Sequence, residues 1–159
     1  PKVYQQVVEL AKVHLQRGEE VWIVTASPSR LANVLAHKLG FTGALGTIAE
    51  EVDGVFTGEL IGPIVHGKEK ANAVSELAAR TGINLALSSA YSDSINDVPL
   101  LSMVGFANAV NADRQLRQLA KKRGWRQYDF RKLRLARKFG LPVLLTSILG
   151  LGARRKRSK

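Results

Sequence analysis

Ala90-Tyr91-Ser92-Asp93-Ser94-Ile95-Asn96-Asp97-Val98-Pro99-Leu100-Leu101 decides how the rest of the chain is read. It sets two carboxylates four residues apart, with small or polar residues between them and an apolar run behind. The stretch reads as a strand-to-helix turn. In open parallel α/β sheets ligands collect in the crevice beyond the carboxyl ends of the strands, which is where Asp93 would then lie. Two acids there suit Mg²⁺, a hard cation that takes one or two protein carboxylates, keeps several waters and takes further ligands from a substrate phosphate. The same residues also read as a helix start, because Asp and Ser are preferred caps. A cap accounts for one acid and leaves the other.

Upstream, Val3, Tyr4, Val7, Val8, Ala11 and Leu15 recur at helical spacing, which predicts an amphipathic helix from Lys2 to Gln16 that ends at Gly18. Val21 to Val24 is a short apolar run suited to a buried strand. In Thr25-Ala26-Ser27-Pro28, Ser27 is placed to cap and Pro28 to open a helix running to about Leu39, stopped by Gly40. Thr25 at a strand end beside the N–H groups of a helix start is a ready anion site. Thr25 and Ser27 also read as hydroxyls that merely satisfy the turn.

Residues 45–52 and 55–60 around Asp53-Gly54 predict a hairpin, since that dipeptide supplies the positive φ angles of a two-residue turn. Gly67-Lys68-Glu69-Lys70 opens a helix to about Arg80, with Gly82 beyond it. Lysines in a first turn oppose the helix dipole, a local conflict of the kind found at sites, though two solvated lysines would look the same. Ile83 to Ala90 leads into the acidic turn and Ile95 to Met103 reads as a short helix. Gly105 to Val110 reads as a strand, with Asn111-Ala112-Asp113 capping a helix to Arg123. Strands alternating with helices predict an α/β fold with a doubly wound parallel sheet.

At 159 residues and 45% hydrophobic composition the chain suffices for one domain with a real core. It has no apolar run of the 18 or more residues that a membrane span needs, and Pro1 to Gly18 is too polar for a signal peptide. The absence of cysteine excludes disulfides and thiolate metal sites, and a cytoplasmic chain is the simplest reading. The net charge of +11 is unevenly held: 8 Lys+Arg face 12 Asp+Glu up to Asp113, and 16 face 1 beyond it. A basic tail suits an anionic surface such as lipid headgroups or nucleic acid, and equally a solvated basic face. Phe139 to Gly152 is apolar but too short to span a bilayer, so it reads as a segment docked on the body or lying at a membrane surface. Trp125 and Tyr128 suit packing better than base stacking, which makes nucleic acid the lesser partner. His14, His37 and His66 have no metal-like spacing and receive no role.

Taken together, residues 23–28, Asp53-Gly54-Val55-Phe56-Thr57-Gly58, Gly67 to Lys70, residues 91–101, and residues 109–113 with Gly124-Trp125 stand in an order that resembles the haloacid dehalogenase-like hydrolase superfamily. The likeness is to the branch that includes phosphoserine phosphatase and covers about Gln5 to Trp125. It implies a Rossmann-like core over residues 1–126, with the hairpin at about 43–62 as a small insertion, and a basic and apolar tail over 127–159 outside the family pattern. It implies a Mg²⁺-dependent phosphatase acting on a small phosphorylated substrate. The resemblance gives Thr25 the role of a hydroxyl on the transferring phosphoryl group, with Ala26 and Ser27 beside it, and gives Lys70 that of the stabilising cation. Asp93 becomes a direct Mg²⁺ ligand, Asp97 its outer partner, and Asn96 a neighbour of the phosphate.

Family members start catalysis from an Asp-x-Asp pair on a first strand, whose leading carboxylate becomes an aspartyl-phosphate. Asp occurs here at 53, 93, 97, 113 and 129, with no two separated by one residue. The expectation is an incomplete core, the carboxyl-terminal portion of a longer protein, inactive as an isolated chain. The alternative is a non-catalytic relative that binds an anionic membrane or nucleic acid through its tail.

Overall fold

The computed structural model describes residues 4–131. Helix α1 (Gln5–Gln16) leads into β1 (Trp22–Pro28), which pairs in parallel with β2 (Gly43–Val52) across α2 (Ser29–Leu39). Strand β3 (Val55–Ile61) returns antiparallel to β2 through Asp53 and Gly54, both at positive φ as the two-residue turn requires. Helix α3 (Lys68–Thr81) then crosses to a second sheet of β4 (Ser89–Ser92), β5 (Phe106–Val110) and β6 (Arg126–Tyr128), parallel throughout. Its crossovers are α4 (Val98–Ser102) and α5 (Arg114–Arg123). This is the α/β architecture that the alternation of strands and helices predicts.

The parallel strands do not join into one sheet. They form two three-stranded sheets, β1-β2-β3 and β4-β5-β6, with β1 and β4 each at an edge. Each sheet has its own small core. Ala32, Ala36 and Ala44 are buried in the first, and Leu101, Ala107, Ala109, Ala112, Leu116 and Ala120 in the second. Alanine lets helices lie close on strands, but each buries little apolar area, so each core contributes modest stabilisation at ~25 cal/mol per Å².

Four expectations change in the structure. Residues 43–62 are not wholly an insertion, because the first half of β2 pairs with β1 inside the sheet and its second half forms the hairpin with β3. A ten-residue strand is long enough to do both. Ser27 does not cap α2: β1 continues to Pro28, which occupies the cap position with no side-chain bond. The helix read over 95–103 is a 3-10 turn, Ile95–Asp97, followed by the five residues of α4, with Pro99 in the first turn where its missing N–H is not needed. The sheet also continues past 126, since β6 pairs with β5 through Arg126, Gln127 and Tyr128. Three residues are too few to show an alternating pattern. Gln127 and Tyr128, placed in the tail by the resemblance, are strand residues; the apolar segment Phe139 to Gly152 and the basic end lie outside the described residues.

Among the described residues no helix is long and apolar enough to cross a membrane.

Candidate functional site

The acidic turn is built by β4 ending at Ser92 and the chain then folding back through the 3-10 turn. Asp97 is thereby buried, with its side chain 7% exposed, and Lys70 from the first turn of α3 reaches it at 2.9 Å with its own side chain 16% exposed. Ser92 Oγ donates to the same carboxylate oxygen, Oδ2, at 2.6 Å. The other oxygen, Oδ1, is buried with no partner among the described residues. A buried acceptor left bare costs roughly 1–3 kcal/mol, so it marks a place where a donor or cation fits. Gly67 leads into α3 at φ 55° and ψ −118°, a backbone conformation that side chains disfavour, and it lies against the Asn96 carbonyl oxygen.

Asp93 is exposed at the mouth of the turn, and its carboxylate makes no hydrogen bond or ion pair among the described residues. Its backbone is held firmly. Asp113 N–H donates to the Asp93 carbonyl at 2.8 Å, and the Asp113 carboxylate accepts from Ile95 N–H and from Leu116 N–H, both at 2.7 Å. One side chain thus caps α5 and clamps the acidic turn. The sequence marks Asp113 as a cap; its second role depends on β4 and β5 lying side by side, which spacing cannot disclose.

The Leu116 N–H chiefly, and the Ile95 N–H after it, hold the Asp113 carboxyl below its ordinary value of 3.8. A lowered folded-state pKa contributes stability that is fully present above the ordinary value and is lost as pH falls through the lowered one. Asp113→Ala should therefore cost about 1–2 kcal/mol at neutral pH, through the lost cap and clamp. In urea denaturation the gap between the two proteins should narrow between pH 5 and pH 2; a gap independent of pH would contradict this role.

Thr25 and Ser27 lie where β1 leaves its register with β2, four residues of β1 spanning the distance that two cover on β2. The bulge turns both hydroxyls toward each other: Thr25 Oγ1 donates to Ser27 Oγ at 3.2 Å and accepts from Ser27 N–H at 3.1 Å. Glycine at 46 makes room, because a Cβ there would come within 2.7 Å of the Ser27 carbonyl oxygen. Ala26 is tied in through its carbonyl, which accepts from Thr47 Oγ1 at 2.8 Å, and the same hydroxyl accepts from Val65 N–H at 3.1 Å. The path from β1 to α3 and the acidic turn runs Ala26, Thr47, Val65, Gly67, Asn96. Lys70, Asp97 and Ser92 are thus in direct contact, Asn96 adjoins them, and no hydrogen bond among the described residues links them to the Thr25–Ser27 pair.

His14, given no role by its spacing, bridges α1 to β4. Its Nε2 lies 2.8 Å from Tyr91 Oη, and its Nδ1 pairs with Glu19. Burial pushes the Tyr91 phenol above its ordinary 10.0. Residues 77 apart in sequence offered no local signal of this contact.

The family model described as haloacid dehalogenase-like hydrolase matches residues 1–102. Phosphoserine phosphatase SerB1 of Mycobacterium tuberculosis is 53% identical over 152 residues, which are 96% of this chain and 48% of that protein. Among solved structures, a Bordetella pertussis protein of unknown function is 35% identical with a TM-score of 0.74, over 81% of this chain and 59% of that one. A substrate-bound phosphoserine phosphatase is 26% identical with a TM-score of 0.63, over 83% and 61%. The chain spans about half the length of the curated relatives it matches. With its parallel α/β sheets and a family match over most of its described residues, the chain belongs to the haloacid dehalogenase-like hydrolases.

Proposed function

We propose that this chain carries the phosphate- and cation-binding part of a Mg²⁺-dependent phosphatase for small phosphate monoesters. The observation that carries the reading is the half-buried Lys70 held on the buried Asp97 and Ser92, next in sequence to the exposed Asp93 carboxylate. Relatives named phosphoserine phosphatase support the reaction class.

The donor set fits Mg²⁺. Asp93 offers an unpaired carboxylate, Asp97 a bare buried oxygen, and no group of three His, Cys, Asp or Glu comes together among the described residues. That is the sparse oxygen set Mg²⁺ accepts, and it is poor for zinc, which takes three or four protein ligands. Asp93 would be a direct ligand and Asp97 the outer partner. When bound, Mg²⁺ would neutralise charge on the phosphate oxygens.

The remaining roles belong to the chain's own residues. Lys70, oriented by Asp97, presents N–H donors and positive charge to the phosphoryl oxygens, where charge stabilisation matters most in this chemistry. The Thr25 hydroxyl, paired with Ser27 in this structure, would turn to the transferring phosphoryl group when it binds, with Ala26 and Ser27 beside it. Asn96, exposed and with its carbonyl oxygen against Gly67, would be a neighbour of the bound phosphate. No residue of this chain supplies the Asp-x-Asp nucleophile and acid, so the chain alone does not turn over, and an aspartyl-phosphate forms only when such a pair is supplied.

The test compares p-nitrophenyl phosphate hydrolysis with Mg²⁺ by this chain and by a version extended upstream to include an Asp-x-Asp strand. Turnover is expected only in the extended form, falling about 100-fold or more in its Asp93→Asn variant. Turnover by the unextended chain, or turnover indifferent to Asp93→Asn, would refute the reading.

A further inference from the structure

The β2–β3 hairpin carries apolar side chains that no part of the described chain covers, and every residue of β3 is exposed. In an antiparallel ladder, residues directly opposite one another project from the same face, and so do residues four apart on one strand. The pairs Ile48–Ile61 and Val52–Val55 therefore lie on one face, where all four side chains stay open: Ile48 is 48% exposed, Ile61 56%, Val52 55% and Val55 69%. Thr57 and Glu50 share that face, since Thr57 Oγ1 donates to the Glu50 carboxylate at 2.7 Å. Glu51 points the other way and pairs with Arg30 of α2 at 3.0 Å. Strand β3 is also the outer strand of its sheet, so one row of its N–H and C=O groups has no ladder partner. Contiguous apolar surface of this kind marks an interaction site.

Charge narrows what can lie there. From Gly40 to Gly67 the chain holds Glu50, Glu51, Asp53 and Glu59 and neither lysine nor arginine. Of these acids only Glu51 has an ion-pair partner among the described residues. An apolar face set with uncompensated carboxylates repels nucleic acid and anionic lipid. It repels a second copy of itself as well, because pairing two hairpins brings like acids together. It attracts a segment that is apolar and basic. Residues 132–159 have that make-up: Phe139 to Gly152 is apolar, four Lys and Arg precede it, five follow it, and the stretch holds no acid. The eight residues from Arg131 to Phe139 reach up to about 28 Å when extended, comparable with the width of six strands about 4.8 Å apart. The other broad charged surface, α5 with Arg114, Arg117, Lys121, Lys122 and Arg123, repels such a segment.

We propose that the hairpin face formed by Ile48, Val52, Val55 and Ile61 is the docking site of this chain's own segment Phe139 to Gly152, with the basic residues on either side of the segment against Glu50, Asp53 and Glu59. Apolar burial holds the segment on the hairpin, and charge decides which surface of the body it takes. Salt screens exposed charges and leaves apolar burial in place, so high salt loosens the docking without abolishing it. The docking uses no residue of the candidate site and stands whether or not the phosphatase reading does.

The chain has no cysteine, so Ser147→Cys creates a single attachment point for a nitroxide inside the segment. In the isotope-labelled full chain, amide signals of β3 and of residues 48–52 should fall at least twofold relative to the same sample with the nitroxide reduced, while those of α5 stay unchanged. Val55→Lys together with Glu59→Lys, both at exposed positions, should bring the hairpin signals back to the reduced level, with unchanged amide shifts in β1 showing that the sheet is intact. Hairpin signals still broadened in that variant would show that neither its apolar face nor its charge recruits the segment, and would overturn the proposal. A mixture of isotope-labelled chain without nitroxide and unlabelled chain with it should show no loss. Loss in the mixture would mean that a second copy supplies the segment, which overturns docking within one chain. An unbroadened hairpin, with the chain instead sedimenting with phosphatidylglycerol vesicles, would assign the segment to a lipid surface and overturn it too. Equal broadening of α5 and the hairpin would show that the segment has no preferred site.

Discussion

Lys70→Met is expected to lower Tm by about 12 °C, the loss of ~3 kcal/mol at ~4 °C for each in a chain of this size. The reason is Asp97, not the lysine's own packing. Asp97 is buried, its Oδ1 already lacks a partner, and removal of the ammonium leaves an uncompensated carboxylate with a single hydrogen bond, from Ser92. Breaking such a pair from one side costs far more than the pair contributes, because the surviving charge has lost both water and partner. The double variant Lys70→Met/Asp97→Asn should therefore regain most of the loss, since a neutral amide keeps the Ser92 contact without the charge. Thermal melts of the two variants beside the parent decide it. If the double variant is as unstable as the single, the damage is packing and the charge argument is wrong. For the phosphatase reading the consequence is that stability and activity part company: the double variant should fold, yet the extended form that carries it should be inactive.

Gly105→Ala is expected to prevent stable folding of the second sheet. A Cβ at 105 would overlap the Ala86 carbonyl oxygen and stand 2.7 Å from its carbon, and both are backbone atoms with no rotamer to yield. The same backbone is pinned, with Gly105 N–H donating to Leu85 O at 2.9 Å and Phe106 N–H to Ser88 O at 3.0 Å. Relief of the overlap must pull the turn at Leu85–Leu87 away from the start of β5, and with it the register of β4 on which Ser92 and Asp93 depend. Overpacking of this kind costs about 3 kcal/mol or more. Gly82→Ala is the control, because nothing lies within 4 Å of its Cβ position and its penalty comes from φ of +78° alone, about 1 kcal/mol. Near-ultraviolet circular dichroism and urea midpoints for both variants test the contrast; equal midpoints would show that the turn gives way at little cost.

The local chemistry of single residues was legible along the chain. Gly18, Gly40, Gly82 and Gly124 end helices at positive φ, Asp53-Gly54 turns a hairpin, and Asp113 caps α5. These are choices made within a few residues, where one side chain or its absence dominates the backbone energy. The same locality misled at Ser27. A serine before Pro28 looks like a cap, but pairing with β2 holds the strand to Pro28 and the bulge directs Ser27 to Thr25 instead.

Of the candidate site, residue types and order were readable, and contacts were not. Asp93, Asp97 and Lys70 stand out because acids and a lysine occur where strand-to-helix turns bring free N–H groups and open crevices. That Lys70 reaches the buried Asp97, that Ser92 joins them, and that Asp113 clamps the turn depend on α3, β4 and β5 meeting across as many as 27 residues of chain. By itself the sequence determined the α/β class, the helix ends, the hairpin and the candidate acids, since these follow from periodicity and from residues acting on their own backbone. Tertiary structure alone decided that β2 serves both sheet and hairpin, that β6 extends the second sheet, and that His14 holds Tyr91. Those outcomes depend on which distant surfaces come together, and the free energy of such contacts is written in no single stretch of chain.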